Sequence, residues 1–256
     1  METVTRRIAE RPRDFLRVAG RDAEDFLQRM VSNDVSGETC EALLLTPKAR
    51  VIAPLVVVRR APDDFLLLTE PGLGQTVRAA LVRVRFAARV EIEPEEHRSV
   101  VVFGEAEAGI PNRDYGEPAA EVLDTDLEPS LGADQLERLR IEAGTPAWGK
   151  EIDDRVLPAE AGLDERAISF TKGCYPGQEP IARQHHRGKV NRRLRLLEVE
   201  SAEPDDEIIF EGKVAGRVTS AVPGLALGYV RVEVPGDAEL EIGGAPARLH
   251  WRPTRP

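Results

Sequence analysis

The residues best equipped for chemistry lie in one stretch, Lys172-Gly173-Cys174-Tyr175-Pro176-Gly177-Gln178-Glu179-Pro180. A cysteine acts as nucleophile or metal ligand as its thiolate, which a nearby ammonium or a helix N-terminus favours. Lys172 stands two residues before Cys174. Pro180, of a type favoured at the first helical position, marks a helix leaving the stretch. Gly173 and Gly177 let the backbone approach a ligand or take positive φ. Two readings stand side by side: a reactive or ligand-touching thiol in a Gly-rich loop, and a small buried cysteine in a tight turn. His185 and His186 are adjacent, so on a helix they point about 100° apart and cannot share a metal on one face. Either could serve Cys174 as a base only if the fold brought them together. Arg183, Arg187, Lys189, Arg192 and Arg193 cluster in an otherwise acidic chain. They read as a solvated face, or as an anion site for a carboxylate-rich ligand or RNA phosphate. Gly72-Leu73-Gly74 precedes a helix, but Val77 occupies the third glycine position of a dinucleotide fingerprint. The segment is read as a turn and helix start.

The elements that must position these groups follow from periodicity. Ala23, Phe26, Leu27 and Met30 share one face of a helix over 22–31, with Asp22 as its cap. Val- and Leu-rich runs at 42–45, 51–58 and 65–69 predict strands. Pro54 puts the second at an edge or a bulge. A helix is expected over 75–86, with return strands near 90–92 and 98–103. The segment 104–132, rich in Pro, Gly and acids, is expected to be a connector or loops. Asp134 to Ala143 reads as a helix stopped by Gly144, and Ile168 to Phe170 as a short strand. After Asn191 short strands at 194–199, 207–210, 214–219, 225–234, 239–242 and 247–251 alternate with turn pairs such as Pro223-Gly224 and Gly243-Gly244. This predicts a small barrel or sandwich over 192–256 behind a region of two subdomains over 1–191. The class is α+β with largely antiparallel pairing.

Composition narrows the function classes. The chain has 256 residues, 35 basic and 45 acidic, for a net charge of −10, and 41% of it is hydrophobic. That much apolar material argues against a disordered chain. No apolar run approaches the ~20 residues of a membrane helix, and the N-terminus lacks the apolar core of a secretory signal. Two cysteines, Cys40 and Cys174, supply neither a disulfide scaffold nor a multi-cysteine zinc or cluster site within one chain. A cytoplasmic protein with no resident metal, no membrane contact and no direct nucleic-acid contact is expected.

Lys172 to Glu179, KGCYPGQE, resembles the K-G-C-[YF]-x-G-Q-E signature of the YgfZ family, relatives of the glycine-cleavage T-protein (aminomethyltransferase). Further matches extend along nearly the whole chain. Gly20-Arg21-Asp22-Ala23 with Phe26-Leu27-Gln28 and Ser32-Asn33-Asp34-Val35 is similar to the family's opening. Leu45 to Val51 is similar to its L-x-x-x-K-G-R-x element, with Ala49 where glycine is usual. Arg140 to Gly144 with Pro146 resembles R-x-E-x-G-x-P, and Thr219-Ser220 with Leu227-Gly228 resembles the C-terminal pattern. The resemblance implies a T-protein/YgfZ-like α+β fold, with ferredoxin-like N-terminal portions around a central cavity and a C-terminal small β-barrel. It implies a tetrahydrofolate-binding protein that supports iron–sulfur cluster assembly or repair in client enzymes, with an effect on tRNA modification through them.

On that reading Cys174 and Lys172 carry the chemistry. Arg140 and Glu142 meet the pterin, Tyr175, Gln178 and Glu179 add folate contacts, and Arg183 or Arg187 pairs with the glutamate tail. The alternative is a folate-dependent aminomethyltransferase or other one-carbon transferase. Against it, the aspartate that does the family's transfer chemistry falls on Ala53 or Pro54, neither of which can hold a proton. Asp63 or Asp64 of the next turn remains as a substitute.

Overall fold

The computed structural model describes residues 6–104, 108–188 and 190–250. Lys189, the Arg187 side chain and Trp251 lie outside the described residues. In chain order the first elements are β1 (Ile8–Glu10), β2 (Asp14–Ala19), α1 (Ala23–Met30), β3 (Thr39–Leu45), β4 (Val51–Ala61), β5 (Asp64–Thr69), α2 (Gly74–Val84) and β6 (Glu91–Glu95). Then come β7 (Ser99–Phe103), β8 (Ile110–Asn112), β9 (Ala119–Leu123), α3 (Ala133–Glu142), α4 (Gln178–Arg187) and β10 (Arg192–Val199). The chain continues with β11 (Glu207–Phe210), β12 (Lys213–Val222), β13 (Leu225–Arg231), β14 (Glu239–Ile242) and β15 (Ala245–Leu249).

A five-stranded antiparallel sheet runs β3-β4-β5-β2-β6. Helix α1 turns Phe26 and Leu27, and α2 turns Val77 and Leu81, onto one face of it, against Leu16, Val18, Phe65 and Leu67. Each such side chain, fully buried, contributes roughly 1.5–3 kcal/mol. Asp22 does not cap α1 with its side chain; its carboxylate accepts from the Arg89 backbone N–H at 2.8 Å instead. Strand β4 is internal to the sheet, contrary to a simple edge placement for Pro54. Its first part, however, runs past β5, whose pairing begins at Leu55 opposite Thr69, and a register shift stands close by, between Leu44 and Leu45. The missing proline N–H therefore costs no ladder bond toward β5.

A second sheet, β1-β7-β9-β8, takes its last two strands from the segment expected to be a connector. Strand β8 is three residues long and centred on Pro111, too short for a period to register. Helix α3 covers this sheet with Leu136 and Leu139 against Ala9, Val101 and Phe103. The two sheets meet where Phe15, Leu66 and Leu68 pack with Ile110. Ile168 to Phe170 forms no strand; Ser169 makes a single backbone bond to Ser32.

From Arg192 onward the chain closes a barrel, β10-β13-β12-β11-β14-β15, around Leu197, Ile208, Val218, Val230 and Ile242. Ile141 of α3 packs with Leu196 and Leu227 of the barrel, so the parts share apolar surface. Among the described residues, no helix is long and apolar enough to cross a membrane.

Candidate functional site

Between the two sheets, α3 and the loop after it lies a cavity of about 630 Å³. That falls in the range of small-molecule sites. Its apolar walls come from Leu43 of β3, Pro54 and Leu55 of β4, Leu136 of α3, and Trp148, Ile152 and Leu163 of the following loops.

Its polar wall is a network of guanidiniums and carboxylates. Arg11 and Arg13 alternate on the extended chain entering β2, so they project together. Arg11 donates to both oxygens of Glu70, at 3.1 and 2.6 Å. Arg13 spans Glu70 at 2.7 Å and the buried Glu121 at 2.9 and 3.0 Å. Arg166 binds Glu41 and donates to Asp114 Oδ1 at 2.7 Å. Burial would push the Asp114 carboxyl up, but Arg166, Arg11 and Arg13 outweigh it and hold it below the usual range. The other Asp114 oxygen lies 3.7 Å from Arg11 and 3.9 Å from Arg13. Arg11 Nε is buried and has no hydrogen-bond partner among the described residues.

Arg140 stands on the same wall, positioned by the end of its helix. Gly144, at φ 65°, reverses the chain, with Gly144 N–H bonded to Ile141 and Thr145 N–H to Arg140. That turn brings the Thr145 carbonyl to 2.5 Å from Arg140 Nη1. Glu137 at 2.6 and 2.9 Å, the buried Glu151 at 2.9 Å and Ser220 Oγ at 2.9 Å take the other donors. Arg140 therefore lines the cavity with its hydrogen bonds already spent, and Arg140 with Lys150 holds the Glu137 carboxyl at about 2. Glu142 faces away and pairs with Arg138 at 2.8 Å.

The KGCYPGQE loop is not on the cavity surface. Tyr175 is buried in one apolar cluster with Leu43, Ile152 and Leu163, so it backs the cavity wall; its hydroxyl is buried without a partner among the described residues. Burial pushes that phenol up to about 12. Cys174 is exposed, which rules out the buried structural thiol. Lys172 does not serve it. Its ammonium donates to the Val31 and Asn33 carbonyls, at 2.8 and 2.6 Å, closing the end of α1, and burial pulls it down to about 8. Gly177, at φ 85°, caps α4, which puts Pro180 at the third helical position rather than the first. Gln178 and Glu179 open the helix, with Glu179 paired to Arg183 at 2.6 Å, one turn on. None of Gln178, Glu179 or Arg183 lines the cavity. Asp63 and Asp64 lie at the far end of β5, where Asp64 pairs with Arg17 at 3.0 Å. Pro54, by contrast, is in the wall.

The residues that sequence reasoning passed over are Arg11, Arg166 and Asp114. The signal was present in Arg11-Pro12-Arg13, a pair of cations at strand spacing leading into an apolar run. Asp114 lay in the segment read as a connector.

A family model described as CAF17, C-terminal beta-barrel domain, matches residues 191–255. An uncharacterized protein of Haemophilus influenzae is 29% identical over 246 residues, covering 89% of this chain and 88% of that one. An aminomethyltransferase of Synechocystis is 32% identical over 223 residues, 82% of this chain but 56% of the enzyme. A mitochondrial iron-sulfur cluster assembly factor IBA57 homolog of Yarrowia lipolytica is 35% identical over 101 residues, 38% of this chain and 21% of its own. The chain thus spans about half of the first of these two and a fifth of the second. Among solved structures, the glycine cleavage system aminomethyltransferase T from Bartonella henselae superposes with a TM-score of 0.78 at 19% identity, over 96% of this chain and 85% of that one. The fold is the aminomethyltransferase-like one, with its closed C-terminal barrel.

Proposed function

A chain that fits the YgfZ, CAF17 and IBA57 family, related to the aminomethyltransferases, carries this cavity; we propose that it binds tetrahydrofolate there in support of iron–sulfur cluster assembly in client enzymes. The observation that carries the reading is the cavity of about 630 Å³, in which the ionised Asp114 and its guanidinium neighbours Arg11 and Arg166 face apolar walls. The edge of a reduced pterin offers two N–H donors beside a carbonyl oxygen. Asp114 accepts the donors, while Leu43, Leu55 and Trp148 supply apolar walls for the ring. Lys150 and Arg113 are exposed lining cations suited to the anionic glutamate tail. These replace Glu142 and Arg183 as the proposed contacts, and the call on Arg187 falls on a side chain outside the described residues.

Two features favour holding a folate over turning it over. Pro54 stands in the wall where the related transferases are expected to carry their aspartate. Asp114, held ionised by three guanidiniums, is a weak base. Cys174, exposed on a different surface, is the thiol proposed to meet a client, as a redox group or a passing sulfur or iron ligand. Any effect on tRNA modification would follow through such clients.

Titration calorimetry with tetrahydrofolate tests the folate reading. Measurable heat and thermal stabilisation are expected, with Asp114→Asn weakening binding by at least tenfold. Absence of both at millimolar ligand would refute it. Cys174→Ser should lose client-enzyme rescue with folate affinity unchanged; full rescue by that variant removes the thiol role.

A further inference from the structure

From Pro180 to Leu197 the chain carries Arg183, Arg187, Lys189, Arg192, Arg193 and Arg195 and no Asp or Glu, although its net charge is −10. Two of these cations are already engaged: Arg183 with Glu179, and Arg192 with Glu160 and the Tyr229 ring. Arg193 and Arg195 are exposed, and among the described residues neither has a carboxylate partner. They leave β10 on the same side, two residues apart. On β10, strand β15 pairs with Leu197–Val199 and not with the residues before them, and Arg195 lies opposite Gly228, which has no side chain. Burial, and then the charge of Arg193, pulls the Arg195 guanidinium below its ordinary range. Two like charges held together in this way gain from a polyanion.

Beside them is an aromatic platform. Phe170, 39% exposed, stacks on His185 with ring centroids 4.0 Å apart and planes at 27°. Phe170, His185 and Arg193 border one small hollow of about 90 Å³. An acidic protein surface would use the guanidiniums but gain little from an exposed ring. A duplex would use the charges but has no free base face to offer. A single strand uses both.

We infer that the α4–β10 surface binds a single-stranded polynucleotide, with phosphates on Arg193 and Arg195 and a base stacked on the Phe170–His185 pair. The site lies apart from the cavity, so it stands or falls independently of folate binding, and it revises the expectation of no direct nucleic-acid contact.

Fluorescence anisotropy of the full chain with labelled 12-mer oligouridylate, 12-mer oligothymidylate and hexaglutamate, between 50 and 200 mM salt, tests it. Dissociation constants of about 10⁻⁴ to 10⁻⁶ M are expected for the oligonucleotides. Equal binding of RNA and DNA assigns recognition to phosphate and base, and tighter RNA binding adds a ribose hydroxyl; both support the site. Arg193→Glu with Arg195→Glu should lower the slope of log K against log salt by about 1.4, two phosphate contacts at ~0.7 each. The double lysine variant should keep that slope. Phe170→Leu, which keeps apolar bulk, should weaken binding roughly 5- to 100-fold with the slope unchanged. No anisotropy change with either oligonucleotide overturns the proposal. So does an unaltered salt slope in a charge-reversed variant that melts like the parent. Hexaglutamate binding as tight as the oligonucleotides, with Phe170→Leu silent, also overturns it and assigns the surface to an acidic protein. Folate calorimetry should be identical in every variant.

Discussion

Gly173 and Gly177 flank the exposed Cys174 thiol, one residue before it and three after, yet the structure gives them opposite tolerance for a side chain. A Cβ on Gly177 would meet the Thr46 carbonyl oxygen at 2.8 Å and the Ala49 Cα at 3.0 Å, both backbone atoms that no rotamer change can move. Its φ of 85° adds the left-handed penalty, ~1–2 kcal/mol for a residue with a Cβ. Crowding of this kind costs about 1–3 kcal/mol. Restriction of the unfolded chain returns about 0.4–1 kcal/mol. Gly177→Ala should therefore destabilise the protein by about 2–4 kcal/mol. At roughly 2–4 °C per kcal/mol for a chain of this size, the melting temperature should fall by about 5–15 °C. A Cβ on Gly173 meets nothing within 4 Å, so Gly173→Ala should stay within about 0.5 kcal/mol of the parent. Calorimetric scans of the two variants against the parent decide it. A neutral Gly177→Ala, or a Gly173→Ala equally damaging, would show that the interlock between this loop and the 46–49 turn is not what fixes the motif's second glycine.

Three other outcomes follow from geometry already described. Glu151 is fully buried between Arg140, Ser220 Oγ at 2.6 Å and the Ala147 N–H at 2.9 Å; Glu151→Ala leaves Arg140 without that counter-charge and should cost ~3–5 kcal/mol by denaturant titration. At pH 8 a thiol reagent should modify Cys174 rapidly and Cys40 only on unfolding, because burial raises the half-buried Cys40 thiol to about 11; two equally fast thiols in the native protein would contradict this. His97 sits between Asp124 at 2.6 Å and Glu95 at 2.9 Å, which raise its pKa although burial opposes them. Its contribution to stability is full below the unfolded value of ~6.5 and fades as pH rises through the elevated folded value. Glu95, lowered to about 2 chiefly by its hydrogen bond with Arg60, contributes above its unfolded value of ~4.3 and is lost as pH falls toward 2. An NMR titration placing His97 below 6.5 would reverse the first sign.

What the sequence disclosed depended on period and punctuation. Helices α1, α2 and α3 were legible because their apolar residues recur every three or four positions, and α3 because Gly144 ends it. The barrel strands were legible from their turn pairs. Strands β8 and β9 were not, since neither is long enough to outweigh the surrounding Pro and Gly. The separation of thiol from cavity could not be read either. Lys172 looked like a partner for Cys174 because they are two residues apart, but side chains so spaced need not face one another, and its ammonium found the carbonyls at the end of α1. Ala49 stood out as a departure from a usual glycine, and its φ of 59° shows why glycine suits the spot.

The barrel reaches back to the cavity wall through two hydroxyls. Ser220 on β12 accepts from Arg140 and donates to Glu151, and Tyr229 on β13 donates to the Glu151 carbonyl at 2.7 Å. Both partners belong to the final quarter of the chain, so during synthesis they emerge from the ribosome after Arg140 and Glu151. Until they arrive, the pair that shapes one side of the pocket lacks its last hydrogen bonds, and Ile141 lacks the apolar cover of Leu196 and Leu227. A chain ending near residue 191 would lack these contacts, so the C-terminal strands complete a wall of the pocket that they do not themselves line.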